Sequence, residues 1–187
     1  MNSINNIEKI FNDSIAVKSS IVASPELKNL VKMGNIAIDS IMSGGKILLC
    51  GNGGSAADAQ HLAAEMLVRL RPKNNREGVP ALALAQDTST ITACGNDFGF
   101  ESLFERLVKT IGSKNDILIA ITTSGNSENI IRAMKASRQN DIKVFGFLGS
   151  DGGNAMELCD EVFLVPSSDT GRIQESHITA GHALMEY

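Results

Sequence analysis

Beyond residue 45 the chain keeps switching between two patterns, and nothing else in it narrows its folding options as much. Short, near-continuous apolar runs recur at Lys46–Cys50, Pro80–Ala85, Asp116–Ile121, Ile142–Leu148 and Glu161–Pro166. Each has the length of a strand and the composition of one buried on both faces. Helix-length amphipathic stretches lie between most of them, at 55–71, 100–111 and 127–139, with a last one from about 172. Strands alternating with helices predict an α/β fold in which a five-stranded parallel sheet is flanked by helices and joined by right-handed crossovers. Upstream, apolar residues recur at three and four over 4–22 and 26–43, which predicts two helices. Ser24-Pro25-Glu26 reads as an N-cap followed by proline at the first helical position, and Gly44-Gly45 as the stop of the second helix. The expected organisation is one domain over 1–187: an N-terminal helical arm, 1–44, and an α/β core, 45–187.

Composition excludes several classes. The 187 residues are 43% hydrophobic and carry a net charge of −4, which suits a globular core and argues against nucleic-acid partners, since phosphate backbones are held by basic stripes. A phosphorylated ligand must therefore be captured by local geometry against the overall field. The first residues lack a basic start followed by an unbroken apolar stretch, and no apolar run is long enough to span a bilayer, so no membrane role is expected. Cys50, Cys94 and Cys159 are odd in number and widely spaced, which suggests neither a disulfide framework nor a four-thiolate metal site. The expected address is the cytoplasm.

In a parallel sheet ligands bind at the carboxyl ends of the strands. Four of those ends here run into small, hydroxylated or glycine-rich loops, at 51–55, 122–127, 149–154 and 167–171. Thr122-Thr123-Ser124-Gly125-Asn126-Ser127 places four hydroxyls and a glycine where a strand becomes a helix. Unpaired N–H groups and the helix dipole favour an anion at such a point, and one hydroxyl would suffice for a mere cap. Gly51-Asn52-Gly53-Gly54-Ser55-Ala56 formally matches a dinucleotide fingerprint, but the acidic candidate, Asp87, lies too far along, and the glycines more economically admit a small ligand close to the backbone. There is no Walker A sequence.

His61 and Glu65, four apart, share a helix face that Arg69 continues. They read either as a surface pair with a bystander imidazole or as acid–base groups. Leu62, Ala63, Ala64, Met66 and Leu67 are expected to raise the Glu65 pKa toward that of a base able to take a proton from carbon. On the last helix Gln174 and His182 lie two turns apart, with His177 near their stripe. His61, Glu65, Gln174 and His182 together could also hold a divalent metal, although glutamine is a poor zinc ligand.

Gly95-Asn96-Asp97 with Phe98–Phe100, the Cys50–Ala56 loop, Thr122–Ser127 and Arg172-Ile173-Gln174-Glu175 resemble, in the same order from about residue 5 onward, the phosphoheptose isomerases of the sugar-isomerase (SIS) domain family. The resemblance implies a flavodoxin-like or Rossmann-like three-layer sandwich. It also implies interconversion of sedoheptulose 7-phosphate and D-glycero-D-manno-heptose 7-phosphate for lipopolysaccharide or capsule. It places the phosphate on Ser55, Ser124 and Ser127, with Thr122 and Thr123 assisting, and lines the sugar with Asn52, Gly53, Gly54, Asn96 and Asp97. Glu65, Arg69 and Gln174 also meet substrate. Glu65 is then the general base and His182 its acid–base partner. Zn2+, one per subunit, sits on His61, Glu65, Gln174 and His182 in several members, and the expected assembly is a homotetramer with shared active sites. Some relatives carry Asp directly before the Arg-Ile-Gln-Glu segment; here that position is Gly171, and the nearest carboxylate is Asp169. Two alternatives stay open: a non-enzymatic adaptor of the same family that binds a replication initiator, and another phosphosugar isomerase.

Overall fold

A computed structural model describes residues 3–84 and 87–187. Five strands, β1 (Ile47–Gly51), β2 (Ala81–Ala83), β3 (Ile117–Thr122), β4 (Lys143–Gly149) and β5 (Glu161–Val165), form one sheet in the order β2-β1-β3-β4-β5. All four pairings are parallel. β1 and β3 are buried along their whole length, as their unbroken apolar runs require. The second strand is shorter than the apolar run at 80–85, and Ala85 lies outside the described residues. The chain leaves β1 toward β2 on one side and returns to β3 on the other, so the switch point lies between β1 and β3.

The described residues form seven α-helices around the sheet: α1 (Ser3–Val22), α2 (Glu26–Met42), α3 (Gly54–Leu67), α4 (Thr88–Asp97), α5 (Leu103–Ile111), α6 (Glu128–Gln139) and α7 (Thr170–Glu186). One core packs α2, α3 and α7 on one side of the sheet around Met33, Leu62, Phe145, Phe147 and Phe163. The other sets α5 and α6 against Leu48, Leu118, Val144 and Leu148. The N-terminal segment divides in two. Leu30 and Met33 make α2 part of the first core, whereas α1 buries only Ile21 and leaves Ile4, Ile7, Ile10, Phe11 and Ile15 exposed.

Several boundaries differ from the sequence reading. Pro25, φ −68°, occupies the cap position of α2, and Ser24 Oγ accepts the Glu26 N–H at 3.2 Å, a shift of one residue. Helix α3 ends at Leu67 instead of continuing to 71. The Arg76 guanidinium donates to the carbonyls of Glu65 and Met66 at 2.8 and 2.9 Å, satisfying the last turn from outside the helix. Helix α4 is additional. Asp87 caps it by accepting the Thr90 N–H at 2.7 Å, a bond that holds its carboxyl below the ordinary range, so its place in the fold is that of a helix cap. The segment expected to be helical from 100 opens with a 3-10 turn, Phe100–Ser102, before α5.

Candidate active site

The site grows from the carboxyl ends of β1 and β3. Gly51 ends β1 where any β-carbon would strike the Ser55 carbonyl at 2.4 Å, and Gly53, φ +55°, occupies the cap position of α3. The turn this allows is tight: the Ser55 N–H donates to Asn52 O at 3.0 Å, and Ser55 itself is buried. After β3, Gly125 has φ +65°, and a β-carbon there would lie 1.9 Å from Gly152 O. The loop after β4 latches onto this turn through Ala155 N–H to Gly125 O at 2.9 Å and Asn154 N–H to Asn126 Oδ1 at 3.1 Å.

The hydroxyls of the 122–127 loop divide by function. Thr122 is buried, and its Oγ1 accepts the Gly125 N–H at 3.2 Å, so it shapes the turn. Ser124 is exposed, with Oγ accepting from Asn126 N–H at 3.2 Å, and Thr123 is half-buried. Ser127 occupies the cap position of α6, yet its hydroxyl makes no capping bond. A helix start furnished with hydroxyls and not capped by them is what an anion needs.

On the opposite layer α3 and α7 run parallel. Gly54 faces the Gln174 amide, whose Nε2 would lie 2.5 Å from a β-carbon at that glycine, and Gly181 faces Leu62 in the same way at 2.5 Å. Two turns below the Gly54 contact, His61 Nε2 stands 2.8 Å from His182 Nε2, and Glu65 Oε1 lies 3.7 Å from His61 Nε2. One proton at most fits between two facing imidazole nitrogens, so the pair gathers at least one lone pair beside a carboxylate.

Asp58, one turn before His61, adds a second carboxylate. Its Oδ2 is buried with no partner among the described residues, and burial holds its pKa above the ordinary range, with the His61 and His182 charges acting the other way. Leu62, Ala63 and Met66 point into the core behind the helix instead of surrounding the Glu65 carboxylate. The Glu65 side chain, about one-fifth exposed, stands instead beside His61.

Two imidazole nitrogens and a carboxylate are donor types that zinc accepts, so the chemistry of the set fits a divalent metal. As the side chains stand, no three His, Cys, Asp or Glu groups among the described residues close around an ion. Gln174 stands at Gly54, two helical turns from the histidine pair, and is not gathered with it.

Other expected residues fall elsewhere. Arg69 lies beyond the end of α3 and turns toward Pro72 O and Asn75 Oδ1 at 3.3 and 3.5 Å, so it does not continue the His61–Glu65 face. Asn96 and Asp97 sit exposed at the end of α4, bonded to each other at 2.7 Å. His177 is fully buried: its ring bonds Leu148 O at 3.0 Å between Phe147 and Phe163. Asp169 caps α7, accepting from the Gly171 and Arg172 N–H groups at 2.8 and 3.2 Å. Sequence reasoning missed Asp58, although an acid three residues before a site histidine on one helix was a usable signal. It also missed Asn129, whose amide pairs with that of Asn52 across the crevice.

A parallel sheet with its crevice at the β1–β3 switch point, a glycine loop on one side and a hydroxyl-rich helix start on the other is the build of a SIS domain, and the family model of that description matches residues 10–149. A curated phosphoheptose isomerase of Aquifex aeolicus is 47% identical over 182 residues, covering 96% of this chain and 93% of the relative. That of Aliarcobacter butzleri is 52% identical over 157 residues, with 84% and 82% covered. Among solved structures, the phosphoheptose isomerase of Francisella tularensis superposes with a TM-score of 0.94 at 35% identity, covering 100% of this chain and 97% of that one. The chain belongs to the phosphoheptose isomerase family. No helix among the described residues is long and apolar enough to cross a membrane.

Proposed function

We propose that this chain interconverts sedoheptulose 7-phosphate and D-glycero-D-manno-heptose 7-phosphate, as a step toward activated heptose for lipopolysaccharide or capsule. As a member of its family the chain is an enzyme, a sugar-phosphate isomerase. The observation that carries the reading is the convergence of His61, His182 and Glu65 on two parallel helices, in a domain that also offers an anion-ready helix start.

The phosphate docks at the start of α6, on the N–H groups there and on Ser124 and Ser127, with Ser55 as the third hydroxyl of the family pattern. Binding energy from that remote group holds the open-chain sugar in place for proton transfer. Glu65 removes the proton from the carbon beside the carbonyl while His182 gives one to the carbonyl oxygen, so that an enediol forms. His182 moves protons among the two oxygens, and reprotonation at the neighbouring carbon completes the aldose–ketose exchange. The residues that would hold Zn2+ are His61, His182 and Glu65, with Gln174 as the fourth ligand in the family pattern. When bound, the metal polarises the carbonyl.

Assembly into a homotetramer with shared sites is part of the proposal. Ten residues of α3 separate Ser55 from Glu65, a rise of about 15 Å. Six carbon–carbon bonds of an extended heptose span roughly 8 Å. A cradle served by a neighbouring copy's acid–base cluster resolves that mismatch, and the exposed apolar residues of α1 supply a face for the contact. The deciding experiment is incubation of the purified protein with sedoheptulose 7-phosphate, with chelator and with added zinc, while aldose formation is followed. Conversion is expected; none under any metal condition would refute the proposal and favour the adaptor.

A further inference from the structure

Between the two halves of the crevice lies a contact that neither the phosphate nor the proton-transfer chemistry uses. Asn52, in the loop after β1, donates from Nδ2 to Asn129 Oδ1 at 2.9 Å, and Asn129 Nδ2 donates back to Asn52 Oδ1 at 2.8 Å. Asn129 stands in the first turn of α6 and is only 3% exposed, whereas Asn52 is half-buried. Each residue belongs to a different half of the site. Asn52 flanks the glycine loop, and Asn129 rides on the helix whose start offers the anion cradle.

The orientation of both amides is fixed. The Ile130 N–H, which only donates and is shared with Ser127 O, lies 3.0 Å from Asn129 Oδ1, so the atom there is the oxygen. That sets Asn129, and the reciprocal pairing then sets Asn52. With two bonds accepted, Asn129 Oδ1 has no lone pair to spare. Asn52 keeps one N–H and one lone pair for anything lying in the crevice.

We propose that Asn129 is a positioning residue, whose side chain clasps Asn52 and so fixes the span between the phosphate cradle and the loop that meets the sugar. The inference rests on the phosphosugar reading of the site, and it assigns a residue outside both the cradle and the acid–base cluster. The clasp bridges the neighbouring strands β1 and β3 at the switch point, where any ligand of this fold must lie. Its effect falls on ligands that touch both halves. Inorganic phosphate touches one.

The test uses the full chain, titrated by calorimetry with inorganic phosphate and with a heptitol 7-phosphate, which has no carbonyl and is not turned over. Asn129→Ala and Asn52→Ala should each weaken the polyol phosphate by about tenfold while leaving inorganic phosphate unchanged. The double variant should be no weaker than Asn52→Ala alone, because Asn129 acts through Asn52. Equal loss of both ligands in Asn129→Ala would reduce the residue to a support of α6 and overturn the proposal. So would additive losses in the double variant, or no change at all. Should Asn129→Ala fail to fold, Asn129→Asp keeps the oxygen for Ile130 and the side-chain volume but loses the donor; the ratio of the two affinities should fall as before, and an unaltered ratio would refute the clasp. Wild-type protein that binds the polyol phosphate no better than inorganic phosphate would end the phosphosugar reading itself, independently of the variants.

Discussion

His177 should make the folded protein measurably acid-sensitive. Its side chain is fully buried, one ring nitrogen bonds Leu148 O at 3.0 Å, and Nδ1 has no partner among the described residues. Burial pushes its pKa down to about 4 from 6.5, with the Leu148 bond opposing the shift. The native state therefore refuses a proton that the unfolded chain accepts. Its contribution to stability is fully present above about pH 6.5 and is lost as the pH falls toward 4. Integrating between those two values gives a loss of about 2 kcal/mol by pH 5 and about 3 kcal/mol by pH 4. The control is His177→Leu, which removes the titration at a cost of about 1–3 kcal/mol for the unpaired Leu148 carbonyl, independent of pH. Denaturant unfolding of both proteins at one fixed concentration, from pH 7 to 5, should show the wild type falling toward the variant by about 2 kcal/mol. With three histidines in the chain, the His177 ring resonance can also be followed directly by NMR, and it should not titrate above pH 5. Parallel stability curves, or a His177 midpoint near 6.5, would refute the burial argument.

Gly125→Ala should destabilise the protein by at least about 2 kcal/mol, since it combines a positive φ with a β-carbon placed on Gly152 O; thermal melting measures it, and inorganic phosphate affinity should fall with it. An unchanged melting point would mean that the two loops part freely. Glu65→Gln should abolish isomerisation while leaving heptitol 7-phosphate affinity within a few-fold. Turnover that persists beside lost binding would remove Glu65 from the role of base.

The sheet was legible because a strand covered on both faces needs an unbroken apolar run, and Ile47–Cys50 and Ile117–Ile121 have nowhere else to go. Helix α4 was not. Thr88, Ser89, Thr90 and Thr92 are weak helix formers, and Cys94 is its only buried residue, so no apolar stripe marks it. The end of α3 was hidden for another reason. Leu70 fits its periodicity, but the helix stops where Arg76 and the Val79 N–H take the last carbonyls, contacts visible only once the chain has turned back. The hydroxyl loop announced the anion cradle, yet its residues look identical in sequence. Only the fold separates Thr122, spent on its own turn, from Ser127, which caps nothing. His177 and His182 show the same limit. Five residues put them on different faces of α7, one in the core and one against His61, and no property of the imidazole foretells which.

The acid–base cluster is a consequence of how two helices are levelled. Seven residues separate Gly54 from His61, and eight separate Gln174 from His182. In a parallel pair joined at Gly54 and Gln174, those steps descend nearly equal distances, about 10 and 12 Å, so the rings arrive at the same height. Close approach is secured by absence of side chain: at Gly54 the Gln174 amide occupies the space of a β-carbon, and at Gly181 Leu62 does so beside the histidines. An antiparallel arrangement of the same two helices would carry the steps in opposite directions and separate the imidazoles by more than 20 Å along the axis. The parallel direction follows from the sheet, because β1 and β5 both deliver their chains to α3 and α7 at the same edge. The histidine pair thus depends on the parallel sheet as directly as the anion cradle does.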